Sequence, residues 1–295
     1  MPEWFAEIAA AIGTATGVPF HPSAPRSLSG GDINAAYLFD DGSQRFFVKL
    51  NTASRRDMFA AEADGLAALA ATQSVCVPRV IVSGTANTQA FLVLEALELS
   101  SHGDAARLGE QLASLHRANT ASSHFGWPHD NWIGATPQRN ATHIRWIEFW
   151  RTQRLVPQLQ LAAHNGYGGA LQRDGDQLCV RLDGLFDGYT PAPSLLHGDL
   201  WGGNHGYLAD DTPVLFDPAV YVGDRECDLA MTELFGGYPP DFYAAYRAAW
   251  PLDAGYAIRK SLYNLYHILN HANLFGGGYA AQAARMTAQL LAHLR

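Results

Sequence analysis

His197-Gly-Asp199 followed by Asn204 sets a carboxylate and a carboxamide five residues apart, on a glycine-rich stretch after the apolar run Ser194-Leu-Leu196. Neither strand nor helix propensity asks for these residues at these places. Phosphoryl transfer to a hydroxyl needs an acceptor for the hydroxyl proton and oxygen ligands for magnesium, and the spacing Asp-x-x-x-x-Asn supplies both. On that reading Asp199 is the general base and Asn204 a Mg2+ ligand. An ordinary turn is the competing reading, because Gly, Asp and Asn are all turn formers.

The surrounding segments bear on that choice. Pro213-Val-Leu-Phe216 ends in Asp217-Pro218, so a second carboxylate closes a short apolar strand where a metal-binding aspartate is expected. Alone it is a strand-ending turn; after Asn204 the metal reading prevails. Lys49, at the end of a strand, is placed to hold the α- and β-phosphates of ATP, with Glu62 on the following helix fixing its ammonium. Without the other motifs these two would be a solvated strand lysine and a surface glutamate. Ser29-Gly30-Gly31 would let backbone amides approach phosphate, although two adjacent glycines are a weaker signal than a full GxGxxG. Leu94-Glu95-Ala96-Leu97 would offer backbone groups to adenine. Trp201 is either a core anchor or a wall of the acceptor pocket. His197 is read as a packed support rather than a proton carrier. His267 and His271 have the i, i+4 spacing of metal ligands, but no third ligand stands out, and packing is the preferred reading.

These residues need elements to hold them. Residues 3–13 read as a helix, and Pro19, Pro22 and Pro25 enforce extended chain after it. Ala36-Tyr-Leu-Phe39 and Arg45-Phe-Phe-Val-Lys-Leu50, separated by Asp40-Asp41-Gly42, form a hairpin signal that puts Lys49 on the second strand. The run 57–71 is rich in helix formers with Phe59, Ala63, Leu66 and Leu69 at helical spacing, and carries Glu62. Arg79-Val-Ile-Val82 and Ala90-Phe-Leu-Val-Leu-Glu95 complete an antiparallel sheet. Residues 1–95 are thus expected to form a small nucleotide-binding α+β lobe. Helical periodicity over 104–118, 143–162, 226–235, 240–249, 257–275 and 279–294, with strand-like runs around 205–216, makes 96–295 a larger, mainly helical lobe for catalysis and the acceptor.

Composition narrows the alternatives. The 295 residues are 48% hydrophobic and 16% charged, enough for one large core or two modest ones. Twenty Lys+Arg against 28 Asp+Glu give a net charge of −8 with no basic stripe, which argues against a nucleic-acid partner. The same charge repels ATP weakly, so binding must come from local groups and magnesium, since charges are screened beyond about 8 Å. Three separated cysteines suggest neither a disulfide framework nor a zinc knuckle, and a reducing cytoplasm fits best. Neither a signal peptide nor a run of 18 uncharged apolar residues is read in the chain, so no membrane association is expected.

Taken together, Leu28-Ser-Gly-Gly-Asp-Ile-Asn34, Phe47-Val-Lys-Leu-Asn51, Phe125-Gly-Trp-Pro-His-Asp-Asn-Trp-Ile-Gly134, Leu196-His-Gly-Asp-Leu-Trp-Gly-Gly-Asn204, Phe216-Asp-Pro-Ala-Val-Tyr221 and Arg225-Glu-Cys-Asp-Leu-Ala-Met-Thr-Glu-Leu-Phe-Gly-Gly237 resemble the fructosamine/ketosamine kinase family, within the aminoglycoside- and choline-kinase-like group. The resemblance spans nearly the whole chain. It implies an α+β, protein-kinase-like two-lobe fold and ATP- and Mg2+-dependent phosphorylation of the sugar 3-hydroxyl of a ketosamine, small or protein-bound. The phosphorylated adduct then releases its amine, which is deglycation. It further implies that Asp228 supports the catalytic loop by hydrogen bonding. Two departures, Gly202 where relatives often have serine and Asp224 where histidine is frequent, remove no catalytic group. Ribulosamines or erythrulosamines are expected to be better acceptors than fructosamines. The competing readings are an aminoglycoside or choline acceptor, and a non-catalytic nucleotide-binding protein of the same fold.

Overall fold

The computed structural model describes residues 2–28, 33–118 and 123–294. In chain order the elements are α1 (Glu3–Thr16), β1 (Arg26–Leu28), β2 (Ala35–Asp40), β3 (Arg45–Thr52), α2 (Arg56–Ala71), β4 (Val80–Ala86), β5 (Gln89–Glu95), α3 (Ala105–Arg117), β6 (Asn131–Ile133), β7 (Thr136–Gln138), α4 (Trp146–Phe149), a π-helical turn (Trp150–Leu155), α5 (Val156–His164), α6 (Ala170–Arg181), β8 (Pro193–Leu196), β9 (His205–Tyr207), β10 (Pro213–Leu215), β11 (Tyr221–Asp224), α7 (Glu226–Thr232), α8 (Pro240–Ala249), α9 (Tyr256–Phe275) and α10 (Tyr279–His293). They fall into two compact units, Met1–Asp104 with His205–Pro218, and Ala105–Asn204 with Ala219–Arg295. Residues 205–218, which the lobe boundary at 95 grouped with the later chain, therefore pack with the first unit.

The first unit is built on an antiparallel sheet of order β1-β2-β3-β5-β4. Side chains alternate across a strand, so β3 sends Phe46, Val48 and Leu50 into a core shared with Phe5, Ile8 and Ile12 of α1 and Phe91 and Val93 of β5. Each such side chain gains about 1.5–3 kcal/mol on burial. Lys49, one register position away, is left on the opposite face. The hairpin between β2 and β3 closes where Asp41 accepts hydrogen bonds from the amides of Ser43 and Gln44, with Gly42 at φ 88, a conformation natural to glycine. The proline-rich chain after α1 does more than extend: it adds β1 as an edge strand, pairing Arg26 with Leu38. The amide of Leu215 on β10 donates to Cys76, attaching the β9–β10 ribbon to this unit.

The second unit is mainly helical. Trp146, Trp150, Tyr263 and Tyr266 form part of a core with residues of α5, α6, α7, α9 and α10. The helix expected over 143–162 is not one regular helix: α4 passes through a π turn into α5. Widening of this kind is tolerated where a side chain has a specific errand, and here the turn delivers buried Arg154 to the Arg139 carbonyl and the Asn140 side chain. Helix α6 was not expected, because glycines at 168, 169 and 175 and a polar sequence hide its periodicity. Strands β8 and β11 pair antiparallel, Leu196 opposite Tyr221, and so bring together residues far apart in sequence. Among the described residues no helix is long and apolar enough to cross a membrane.

Candidate active site

In the first unit Lys49 is the centre of a charged triad. Its Nζ donates to Glu62 Oε1 at 2.7 Å and also to Asp217 Oδ1. The β3 pleat supplies Lys49, the exposed-to-core rhythm of α2 supplies Glu62, and the end of β10 supplies Asp217. The Lys49 and Glu62 side chains are 7% and 11% exposed, while that of Asp217 is 45% exposed. Burial alone would disfavour the ammonium, but Glu62 and Asp217 outweigh it and hold its pKa above the ordinary lysine value. Burial pushes the Glu62 carboxyl up, against the attraction of Lys49, and the charge of Asp217 adds to the rise. Asp217 adopts φ 58, a left-handed conformation that costs a non-glycine residue about 1 kcal/mol or more.

Other first-unit expectations fare differently. Glu95 closes β5 and accepts a hydrogen bond from the Arg79 amide at 2.8 Å, and Leu97 follows it half-buried. The side chain of Glu95 is thus engaged locally, and its backbone amide donates to the Arg79 carbonyl at 3.0 Å. Gly30 and Gly31 lie outside the described residues. Just beyond them, Asn51 donates to the Ile33 carbonyl and to Asn34 Oδ1, tying this segment to β3.

In the second unit β8 delivers the catalytic-loop candidates. His197 is fully buried, and its Nδ1 accepts a hydrogen bond from the Asp199 amide at 3.3 Å. Gly198 has φ 84 and presses on Ala219, whose carbonyl a Cβ at this position would strike. Asn204 donates its amide nitrogen to the Asp199 carbonyl at 2.8 Å. Trp201 is 41% exposed, and its carbonyl accepts a hydrogen bond from Tyr238. It is therefore no core anchor.

Asp228 underlies the loop: its carboxylate accepts from the backbone amides of His197 at 2.7 Å and Gly198 at 2.8 Å. Burial opposes its charge, yet the hydrogen bond and charge of His116, with help from His197 and the Gly198 amide, hold its pKa below the usual carboxylate value. His116 in turn meets the Tyr246 hydroxyl at 2.8 Å, and that oxygen accepts from Arg225. Sequence reasoning missed His116; the signal available was a histidine on the apolar stripe formed by Leu108, Leu112 and Leu115. Asp224, one of the two departures, is fully buried and accepts from the Tyr263 and Tyr189 hydroxyls, at 2.5 Å and 2.9 Å. At Gly202, the other, a Cβ would meet nothing within 4 Å. His267 is buried and its pKa is pushed down to about 3 by burial and by His271, whose Nδ1 lies 2.8 Å from the His267 carbonyl.

The fold is that of the protein-kinase-like small-molecule phosphotransferases. The apo form of a thermostable mutant of the aminoglycoside phosphotransferase APH(4)-Ia aligns with a TM-score of 0.62 over 97% of this chain and 98% of its own, at 14% identity. A nearer likeness is the crystal structure of a candidate fructosamine-3-kinase from Haemophilus somnus, with a TM-score of 0.89, 33% identity and 96% of each chain covered. The fructosamine kinase family profile matches residues 4–293. A probable ketoamine kinase of Synechocystis sp. is 49% identical, with 96% of each chain covered. A chloroplastic protein-ribulosamine 3-kinase of Arabidopsis thaliana is 40% identical, over 87% of this chain and 79% of that one. The chain belongs to the fructosamine kinase family, and it is a kinase, an ATP-using phosphotransferase.

Proposed function

We propose that this kinase transfers the γ-phosphoryl group of ATP to the sugar 3-hydroxyl of a ketosamine, with ribulosamines and erythrulosamines ahead of fructosamines as acceptors, and so initiates deglycation of proteins or small amines. The observation that carries the acceptor class is its 40% identity to the protein-ribulosamine 3-kinase across most of both chains. Asp199 accepts the proton of the attacking hydroxyl as the oxygen bonds to phosphorus and ADP departs. Lys49, fixed by Glu62, binds the nucleotide phosphates, and Trp201 offers its indole to the sugar.

The donor chemistry fits Mg2+. Asp217 and Asn204 would hold it through hard oxygen ligands, and such ions are commonly held by one or two protein groups with phosphate and water completing the shell. When bound, magnesium neutralises charge developing on the phosphates. Phosphate handling is thus assigned to Lys49, Glu62 and Asp217, so the nucleotide-binding part takes in 205–218 as well as 1–95. Among the described residues Cys76, Cys179 and Cys227 form no disulfide, which suits a reducing, cytoplasmic setting.

Incubation with ATP, Mg2+ and ribulose-lysine, followed by NMR assignment of the phosphate position, tests donor, acceptor and regiochemistry together. Phosphate at the sugar 3-position is expected. Turnover of an aminoglycoside or choline with none of ribulose-lysine would overturn the ketosamine assignment.

A further inference from the structure

The segment spanning 125–140 has no part in the chemistry above, yet it concentrates buried carboxamides: Asn131 is 4%, Gln138 1% and Asn140 0% exposed. Burying such groups is costly unless their hydrogen bonds are made. Two of those bonds go to one place. Asn131 donates to the Val220 carbonyl at 2.7 Å and Gln138 to the Ala219 carbonyl at 3.2 Å. These carbonyls belong to the residues that directly follow Asp217-Pro218. The Ala219 amide in turn donates to the His197 carbonyl at 2.8 Å, and Gly198 packs against Ala219. One dipeptide thus joins the carboxamides to the loop that carries Asp199.

The direction of every amide in this cluster is forced. Arg154 can only donate, and its guanidinium reaches Asn140 Oδ1 at 2.8 Å, which turns the Asn140 NH2 to Asn131 Oδ1 at 2.9 Å. Asn131 must then present its own NH2 to Val220. The Ala219 carbonyl and Asn131 Oδ1 can only accept, so Gln138 turns its NH2 to both and leaves Oε1 to the Tyr266 hydroxyl, which donates to it at 2.8 Å and holds that orientation. Arg154 is itself fully buried and, among the described residues, pairs with no carboxylate; its charge rests against the rings of Tyr221 at 4.1 Å and Phe149 at 4.6 Å. A buried cation held this way is an expensive device for merely filling a core.

We propose that Asn131 and Gln138, oriented by Arg154 and Tyr266, are positioning residues for phosphoryl transfer: they clamp Ala219-Val220 and thereby fix both the chain leaving Asp217 and the loop bearing Asp199. This rests on the roles assigned above to Asp217 and Asp199. Gln138→Glu sets a carboxylate oxygen against the Ala219 carbonyl, and Tyr266→Phe removes only the hydroxyl that orients Gln138 while keeping the ring in the core.

Two readouts test the clamp. In the ligand-free protein, hydrogen exchange of the amides in 219–222 is expected to rise about tenfold in Gln138→Glu, and by less in Tyr266→Phe. With ATP and ribulose-lysine, kcat is expected to fall about 30-fold or more in Gln138→Glu while the acceptor KM stays within about threefold. The Mg2+ concentration for half-maximal rate should rise about fivefold, a change that a smaller folded fraction cannot produce. Wild-type exchange at 219–222 in both variants, or a lower kcat with unmoved Mg2+ dependence, overturns the clamp. Asp217→Asn measured alongside separates the two readings: if it leaves Mg2+ dependence unchanged, the role of Asp217 falls, and exchange alone then judges the clamp.

Discussion

His116 Nε2 lies 3.1 Å from Asp228 Oδ2, and both side chains are essentially withdrawn from water. A helix that carries no candidate for the chemistry thus holds the carboxylate beneath the loop that carries Asp199. The arrangement ties the geometry of His197 and Gly198 to a contact formed between residues more than a hundred positions apart.

Asp228→Asn should therefore damage stability and turnover together. The substitution replaces one acceptor oxygen with a donor facing backbone N–H or His116, at a cost of about 2–4 kcal/mol. Urea unfolding measures that loss. A companion His116→Leu variant should lose about 1–3 kcal/mol, because it strips one partner from a buried carboxylate and leaves the two backbone bonds in place.

Asp199→Ala separates binding from chemistry. Turnover should fall by about 10²–10⁴-fold, the usual worth of a positioned base. ATP affinity, read by calorimetry, should stay within about threefold because the phosphates are assigned to other groups. Unchanged turnover would remove Asp199 from the mechanism.

Lys49→Met is expected to lower kcat/KM by about 10²–10³-fold and to destabilise the protein, since it leaves Glu62 buried beside Asp217 with their shared cation gone. Adding Glu62→Gln should recover much of the stability and none of the activity. Thermal unfolding and steady-state kinetics on the single and double variants check both halves of this expectation.

The pH dependence of stability carries the signature of His267. Its folded pKa, about 3, lies below the unfolded value near 6.5, so folding favours the neutral ring. The unfolded chain binds the extra proton between those values, and stability falls as pH drops through that window. Glu226 acts in the opposite sense: burial raises its carboxyl to about 7, so its contribution is full below its unfolded pKa and fades as pH rises through 7. The difference between wild type and His267→Gln isolates the histidine. Urea denaturation at pH 6.5 and pH 4.5 should show the variant losing at least about 1 kcal/mol less than wild type.

Much of this architecture was readable from local pattern. The β2–β3 hairpin, the α2 helix and the helix over 240–249 announce themselves by alternation, alanine content and periodicity, all of which need only near neighbours. The pairing of Lys49 with Glu62 was legible in a weaker way, through the order of elements known to present phosphate-binding groups; the contact of Asp217 with the same ammonium was not. His116, Asn131, Gln138 and Arg154 were not, for a common reason. Each acts through a partner distant in sequence, whether Asp228, Val220, Ala219 or Tyr221, and no short window holds both ends of such a bond. Helix α6 escaped because its burial is confined to Leu171, Gly175, Leu178 and Cys179 amid polar residues. Buried Asp224 reads as surface charge until Tyr189 and Tyr263 are seen to meet it.

Trp201 stands apart from the other six tryptophans, of which Trp146 and Trp150 are buried and the rest half-covered. Its indole is the one most open to a collisional quencher such as acrylamide, and it sits two residues from Asp199. The emission of this protein therefore has a built-in reporter. An acceptor seated on that ring would shield it and dim its response to quencher, so occupancy can be followed by light alone, in the absence of nucleotide and before any bond is made.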